Sequence, residues 1–528
     1  MKRNLLFMVM AFLVGSTTAP ATLQASEAFW HGADIGDSGM AYEDMELIHD
    51  AILAGMTDLA ATPTGFPTGD MVNDEHRGLR IYDPDKTWDG YTLLNCFTGT
   101  GTEKNGNNIL IDMDGNIVNE WTFPGMAYLS ASKALPGGYL VGSSIEDYMA
   151  GGGKLTQLDW YGEVIKQWDT NMHHDHEREG SPCGYFAPSQ EPLAFGGKVL
   201  VLESNDPPFE ETTHICASKR IVDDTIRELS WDGEELFRWE IWKHFDQLGL
   251  DEWAEAGIDL GHNYQGPDFM APMLPEDWSH GNAVAWVGKN KWWDKYRDAR
   301  FHPDNIIADF RSLNITIIIA RHPHPEGKWE EGDIVWQLGP DYSTASDNYK
   351  VGQIIGQHMA HMIPKNLPGA GNLLIFDNGG AAGYGALVHG LRGEGGEPLG
   401  TWPNTFRMFS RVLEINPLTK QIVWEYKQPK LSKDLNGDGK ILGNEKLFFS
   451  NLMSGAQRLP NGNTLITEAD VGRIFEVTNS GEVVWEYAPT WIDSSQFMGG
   501  AVYRAYRVPY WWGPKDLAKG KHHHRKKK

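Results

Sequence analysis

The sequence predicts an all-β protein, a six-bladed β-propeller with a short helical N-terminal extension and a helical insertion. Two observations carry that expectation: a hairpin pattern with a late tryptophan recurs six times, and a shorter apolar strand alternates with it. LIDMDGNIVNEW ends at Trp121, QLDWYGEVIKQW at Trp168 and ELSWDGEELFRW at Trp239, each tryptophan six residues after a turn glycine. Looser copies, KWEEGDIVWQLG, EINPLTKQIVWEY and EVTNSGEVVWEY, carry Trp336, Trp424 and Trp485. Each reads as strand, turn, strand. Between them lie GGYLVGS (Gly137 to Ser143), GGKVLVLES (Gly196 to Ser204), SLNITIIIAR (Ser312 to Arg321), GNLLIFDNG (Gly371 to Gly379) and GNTLITEAD (Gly462 to Asp470). Short apolar runs behind turn residues suit strands buried on both faces. Four-stranded blades around an axis bury both faces and leave short edges, which favours a propeller over an irregular β-sandwich.

Taken in order, residues 1–25 read as a signal peptide: Lys2 and Arg3, an apolar stretch from Leu5 to Val14, then small residues toward a cleavage point near Ala25 or Ala28. A periplasmic or secreted protein is expected, with no later apolar run long enough to span a membrane. Within residues 26–88, Met45, Ile48, Ile52, Met56 and Leu59 recur at helical spacing, and a Thr-, Pro- and Gly-rich wrapping segment follows. The propeller is expected over residues 89–510. Uneven tryptophan spacing, from 47 to 97 positions, marks insertions, of which residues 245–310 are the largest, with helix-like stretches at Asp251 to Asp259 and Lys289 to Arg300.

DLNGDGKILGNE matches a twelve-residue EF-hand loop. Asp434, Asn436 and Asp438 supply side-chain oxygens, Gly439 the sharp turn, Lys440 its carbonyl and Glu445 a bidentate carboxylate. The flanks are poor helices, so a structural Ca2+ site is expected rather than a paired sensor. Residues 511–528 form a basic tail ending in KHHHRKKK, expected to be an unstructured end.

Composition narrows the function. Lys plus Arg number 46 against 71 Asp plus Glu, a net charge of −25, and the basic residues cluster at the two ends. Nucleic acid and anionic membranes are bound through clustered cations, so neither is an expected partner. Three cysteines, Cys96, Cys183 and Cys216, allow at most one internal disulfide, with Cys183 and Cys216 the natural pair in an oxidising compartment.

Histidines stand at the entrances to strands of the buried type: His174 in HHDHE, His280 in WSHGNAV and His358 in GQHMAHMIP. If the units superpose, these imidazoles converge at one mouth of the central channel. There they can act as nucleophile, proton carrier, charge-stabilising donor or metal ligand. Arg321 follows one buried-type strand, Arg411 opens another and Arg473 follows GNTLITEAD, so each is a candidate to hold an anion through forked hydrogen bonds. Asp377 and Asn378 are candidates to shape the same rim.

The segments HHD, HGN, QHMAH, FDNG, IVWQLGP and SRVLEI, with the run SGAQRLPNGNTLITEADVGRIFEV, resemble the exported, six-bladed bacterial arylsulfotransferases over roughly Asp89 to Arg507. The resemblance implies transfer of a sulfuryl group from an aryl sulfate to a phenol through a sulfohistidine, without a nucleotide sulfate donor. His280 and His358 match the family's supporting histidines. The family nucleophile belongs in the last blades, where this chain has no histidine between His389 and His522 and Arg473 stands at the position. The family arginine follows FDNG closely, whereas here the next is Arg392. Sulfuryl transfer would therefore draw its nucleophile from His174 or His358, with Arg321, Arg411 or Arg473 neutralising the oxygens. Two alternatives stand beside it: a transition metal held by His174, His176, His280 and His358 for another reaction, and a non-catalytic propeller binding an anionic or aromatic ligand.

Overall fold

The computed structural model describes residues 77–514 except 98, 103–106, 125–130, 145–152, 218–219, 252–253, 256–257, 259–276, 343–344, 380–381, 384–408, 428–447 and 492–499. The expected signal peptide, N-terminal helix, calcium loop and, from residue 515 on, basic tail lie outside the described residues.

The architecture is all-β and propeller-like, with the strands of the described residues paired antiparallel in five sheets. The chain starts with β1 (Gly78–Tyr82), which adds to the outer edge of the last sheet. Next, β2 (Tyr91–Cys96), β3 (Asn108–Ile111) and β4 (Ile117–Trp121) form a sheet whose innermost member is the final strand, β24 (Val502–Val508). The two ends of the chain thus close one sheet. A seven-stranded sheet follows: β5 (Lys133–Leu135), β6 (Tyr139–Ser144), β7 (Gly153–Leu158), β8 (Val164–Arg178), β9 (Lys198–Asn205), β10 (Asp223–Ser230) and β11 (Glu235–Glu240). Its long strand β8 pairs with β7 through its first half and with β9 through its second, from Met172 to Arg178. Four-stranded sheets then run from β12 (Gly281–Trp286) through β13 (Ile306–Phe310) and β14 (Ile315–Ile319) to β15 (Ile334–Leu338), and from β16 (His358–Met362) through β17 (Leu373–Asp377) and β18 (Arg411–Asn416) to β19 (Gln421–Tyr426). The last comprises β20 (Ser454–Arg458), β21 (Thr464–Glu468), β22 (Arg473–Val477) and β23 (Val483–Ala488), with β1 outside it.

Four of the five expected apolar runs become the second strand of a unit (β6, β9, β17 and β21), the run Ser312 to Arg321 becomes the third (β14), and the tryptophans lie on the outer hairpins. The tryptophans have a common task. Their indole N–H groups donate to a backbone carbonyl in the next unit: Trp121 to Asp159 (2.8 Å), Trp168 to Ser230 (3.2 Å), Trp239 to Gly332 (2.9 Å), Trp336 to Pro417 (2.8 Å) and Trp424 to Asn479 (2.9 Å). Trp485 returns to Met113 (3.0 Å), beside the first hairpin, so the series closes on itself. Apolar clusters fill the space between neighbouring sheets, as where Leu202, Ile226 and Trp239 meet Val284, Ala308 and Ile317. Innermost strands β8, β12, β16, β20 and β24 touch in succession around the middle.

The stretch 245–310 is only partly an insertion. It contains the short helix Lys291–Tyr296, capped by the Asn290 side chain, but β12 and β13 are also drawn from it. No disulfide links Cys183 to Cys216. Both residues, and Cys96, are buried thiols outside any disulfide, and the first two sit in different apolar clusters.

Candidate active site

Three inner strands carry an irregularity near the same place. His174, His280 and Met359 adopt left-handed backbone (φ 50°, 49° and 53°), and the pairing register slips between Met172 and His176, Gly281 and Ala283, and His358 and His361. Bulges of this kind re-aim a side chain out of the pleat. Here they gather imidazoles from different units. The His174 and His280 rings meet edge to face at 4.8 Å between centroids, and His173 lies 4.9 Å from His174. Burial, His280, His173 and His358 all push His174 well below the ordinary imidazole range.

Hydrogen bonds assign roles to the rings. His358 has its Nδ1 2.8 Å from the Asn378 side-chain oxygen and 3.1 Å from the Gly356 carbonyl. The Asn378 amide is oriented by its own Nδ2, which donates to the carbonyls of Ser450 (2.7 Å) and Met453 (3.2 Å). With two acceptors on Nδ1, that atom carries the proton and Nε2 keeps its lone pair. Burial, then Arg311 and Arg504, hold His358 well below the usual range, so the ring is neutral. His280 Nδ1 lies 2.5 Å from Asp277, forming an Asp-His dyad. A second dyad joins His173 Nε2 to Asp224 at 3.0 Å, and His173 Nδ1 faces His174 Nδ1 at 2.6 Å. Burial opposes the charge on His173, but Asp224 outweighs it and raises the pKa. Asp224 also accepts from the Gly281 N–H (2.7 Å) and the Ser279 hydroxyl, tying the dyads together.

Arg311 and Arg504 are the arginines whose charge acts on His358. The backbone N–H of Arg311 donates to the His280 carbonyl (2.9 Å), which places it beside His280. Arg504, on β24, is fully buried and pairs with Asp175 at 3.2 Å. Deeper in, Lys133 bridges Asp175 (2.8 Å), Glu177 (2.5 Å) and the His176 carbonyl (2.6 Å). Burial drives both carboxyls up; Lys133 and Arg504 outweigh it at Asp175, whereas Glu177 ends well above the ordinary value. Lys133, Asp175, His361 and Arg504 line a cavity about large enough for one water.

The expected histidines therefore converge, but the expected arginines are engaged elsewhere. Arg321 pairs with Glu228 (2.9 Å) and Glu331, at the end of its sheet remote from His280. Arg411 pairs with Asp377 (2.7 Å), and Arg473 with Glu468 (3.1 Å) and Glu486 (2.8 Å). In so acidic a chain, a guanidinium at a sheet's flank meets a carboxylate first. His176 is buried with neither ring nitrogen hydrogen-bonded among the described residues, and burial drives its pKa down to about 3. Among the described residues, the group with metal-ligand spacing is His302, Asp304 and His322, not the imidazole cluster. Sequence reasoning missed His173, Asp224, Asp277, Arg311 and Arg504. One signal was available: Arg311 follows β13 as Asn378 follows β17.

Fold and site together define a propeller-like all-β protein whose buried and half-buried imidazoles gather at one end of the inner strands. The chain belongs to the arylsulfotransferase (ASST) family, whose model matches residues 132–489. No curated protein matches it in sequence. Among solved structures, a protein of unknown function from Bacteroides caccae is similar at 12% identity, covering 80% of this chain and 99% of its own, with a TM-score of 0.36. Virginiamycin B lyase from Staphylococcus aureus is similar at 12% identity over 83% of this chain and 97% of its own, with a TM-score of 0.31. Likenesses this distant carry no argument about activity.

Proposed function

We propose that this is an exported, six-bladed arylsulfotransferase that moves a sulfuryl group from an aryl sulfate to a phenol, with His358 as nucleophile. The seven-stranded sheet then counts as two blades sharing β8. The observation that carries the assignment is the tautomer of His358: two acceptors on Nδ1 leave Nε2 as a neutral, unprotonated nitrogen. In the first step Nε2 attacks sulfur, the N–S bond forms, the S–O bond to the aryl group breaks, and the phenoxide leaves with a proton from His280. In the second, the acceptor phenol returns a proton to His280 through its dyad with Asp277 and attacks sulfur. The N–S bond then breaks, restoring His358. Arg311 and Arg504 face the negative charge on the sulfuryl oxygens, where fixed donors in a dry site are worth most. Asp434, Asn436, Asp438, Lys440 and Glu445 hold a structural Ca2+ in this reading, checked by whether chelator lowers the Tm of the natural chain but not of an Asp438→Ala, Glu445→Ala chain.

Turnover of a chromogenic aryl sulfate with a phenol acceptor tests the reaction. His358→Ala reduces it to background, and His280→Ala lowers it by about 10²–10³-fold, the range for losing one such donor. A sulfuryl mass increment on the His358 peptide after reaction with donor alone identifies the intermediate. Unchanged turnover in His358→Ala, or none in the natural chain with any phenol, removes the proposal.

A further inference from the structure

At the opposite end of the sheet from His280 lies a second group of side chains. β13 begins at Ile306, beside it, and ends at Phe310, which pairs with Gly281. His302 and Asp304 come from the turn leading into β13, and His322 from the segment after β14. Their ligand atoms all lie within 4.8 Å of one another. His322 Nε2 is 3.0 Å from Asp304 Oδ2, and His302 Nδ1 is 3.9 Å from the same oxygen. The His302 ring meets two others edge to face, His322 at 4.7 Å and Trp293 at 4.4 Å between centroids.

We infer that His302, Asp304 and His322 form a solvent-open site for a divalent transition metal, with Zn2+ the expected occupant. The ligands are mounted on a rigid base. Buried Asn305 ties both segments together: its Nδ2 donates to the carbonyls of Ala299 (3.1 Å) and Arg300 (3.0 Å), while its Oδ1 accepts from the Arg321 N–H (3.0 Å). Phe301 anchors the turn in the core, and the Pro303 carbonyl accepts from the Gly288 N–H (2.9 Å). From that base the donors reach solvent, with side-chain exposures of 25% for His302 and 55% for both Asp304 and His322. Zn–N and Zn–O bonds are about 2.0–2.2 Å, so small rotations of exposed side chains close the set around an ion. Two imidazoles and one carboxylate suit Zn2+ or its first-row neighbours rather than Ca2+ or Mg2+. Three protein ligands leave a position for water. The nearby cations are already neutralised, Lys198 by Glu228 (2.7 Å) and Arg321 by Glu228 and Glu331, so little repulsion faces an incoming metal.

The site is independent of sulfuryl transfer and is tested separately. In the metal-stripped full chain with His522, His523 and His524 replaced by Ala, titration with Zn2+ shows one binding site. His302→Ala and His322→Ala each weaken it by at least about 10-fold, the scale on which even outer-shell changes act at metal sites. Asp304→Asn, close to isosteric, weakens it as well. Co2+ in place of Zn2+ develops visible absorption bands that the double histidine variant lacks. Zn2+ affinity and stoichiometry unchanged in the double variant, with its Tm in chelator equal to that of the parent, overturns the site.

Discussion

On the outer hairpins sit Trp121, Trp168, Trp239, Trp336, Trp424 and Trp485, and each indole donates to a carbonyl of the next unit. On the innermost strands, matching positions carry His174, His280, His358 and Ser454, and their surroundings differ: His174 faces His173, His280 pairs with Asp277, and His358 and Ser454 meet at the Asn378 side-chain oxygen. Repetition at the rim holds each sheet against its neighbour. The axis, relieved of that task, holds groups that would be costly to bury singly, such as Lys133 and Arg504, because charges and dyads from several units satisfy one another there. One region gains stability from sameness and the other gains chemistry from difference.

The comparison is broken most severely at the axis. Lys133→Met leaves Asp175 and Glu177 buried beside an apolar chain, and the expected loss is about 3–5 kcal/mol of unfolding free energy, the range for removing one partner of a buried pair. Urea unfolding measures it, and a loss below that of an ordinary surface substitution would show that the axial charges are not coupled.

Acid supplies a smaller and graded perturbation. Burial is the main cause that takes His176 down to about 3 and His361 to about 4, against an ordinary 6.5. Both are neutral in the folded protein until strongly acid pH, whereas the unfolded chain takes up protons near 6.5. Stability is therefore complete above pH 6.5 and falls as the pH drops toward 4, by up to about 1.4 kcal/mol per pH unit for each histidine. His361→Gln, which keeps a partner for the Tyr185 hydroxyl, flattens the dependence of Tm on pH in that window. An equal slope in that variant would assign the acid sensitivity to other groups.

The smallest effect is expected at the rim. Trp424→Phe removes one partly exposed indole hydrogen bond, worth about 0.5–1.5 kcal/mol, and leaves aryl-sulfate turnover unchanged. Loss of turnover comparable to that of His280→Ala would erase the distinction between the two regions.

Much of this division was legible in the residues. The tryptophan hairpins and runs such as Ile315–Ile319, buried on both faces, announce themselves by apolar pattern and turn chemistry. Inner strands do not. His358–Met362 and Ser454–Arg458 are buried throughout but carry His, Gln and Arg, so hydropathy hides them. The convergence of His174, His280 and His358 followed from their equivalent places in a repeat, and geometry adds the tautomer that singles out His358. Arg321, Arg411 and Arg473 were equally plausible by position, yet the guanidinium groups of Arg411 and Arg473 meet carboxylates of adjacent strands, and that of Arg321 meets Glu228 of the neighbouring sheet and Glu331 before β15.

By itself, then, the order of residues determined the all-β repeat, the family and the three imidazoles, because each depends on local pattern repeated at recognisable intervals. Only the tertiary structure decided which groups act on those imidazoles. Asp224 reaches His173 from β10, across the intervening strand β9, Asn378 reaches His358 from 20 positions away, and Arg504 comes from the strand that closes the chain onto its own beginning. The physical reason is that a partner's charge acts through space over a few ångströms. Sequence spacing does not record distance once the sheets are brought together around an axis.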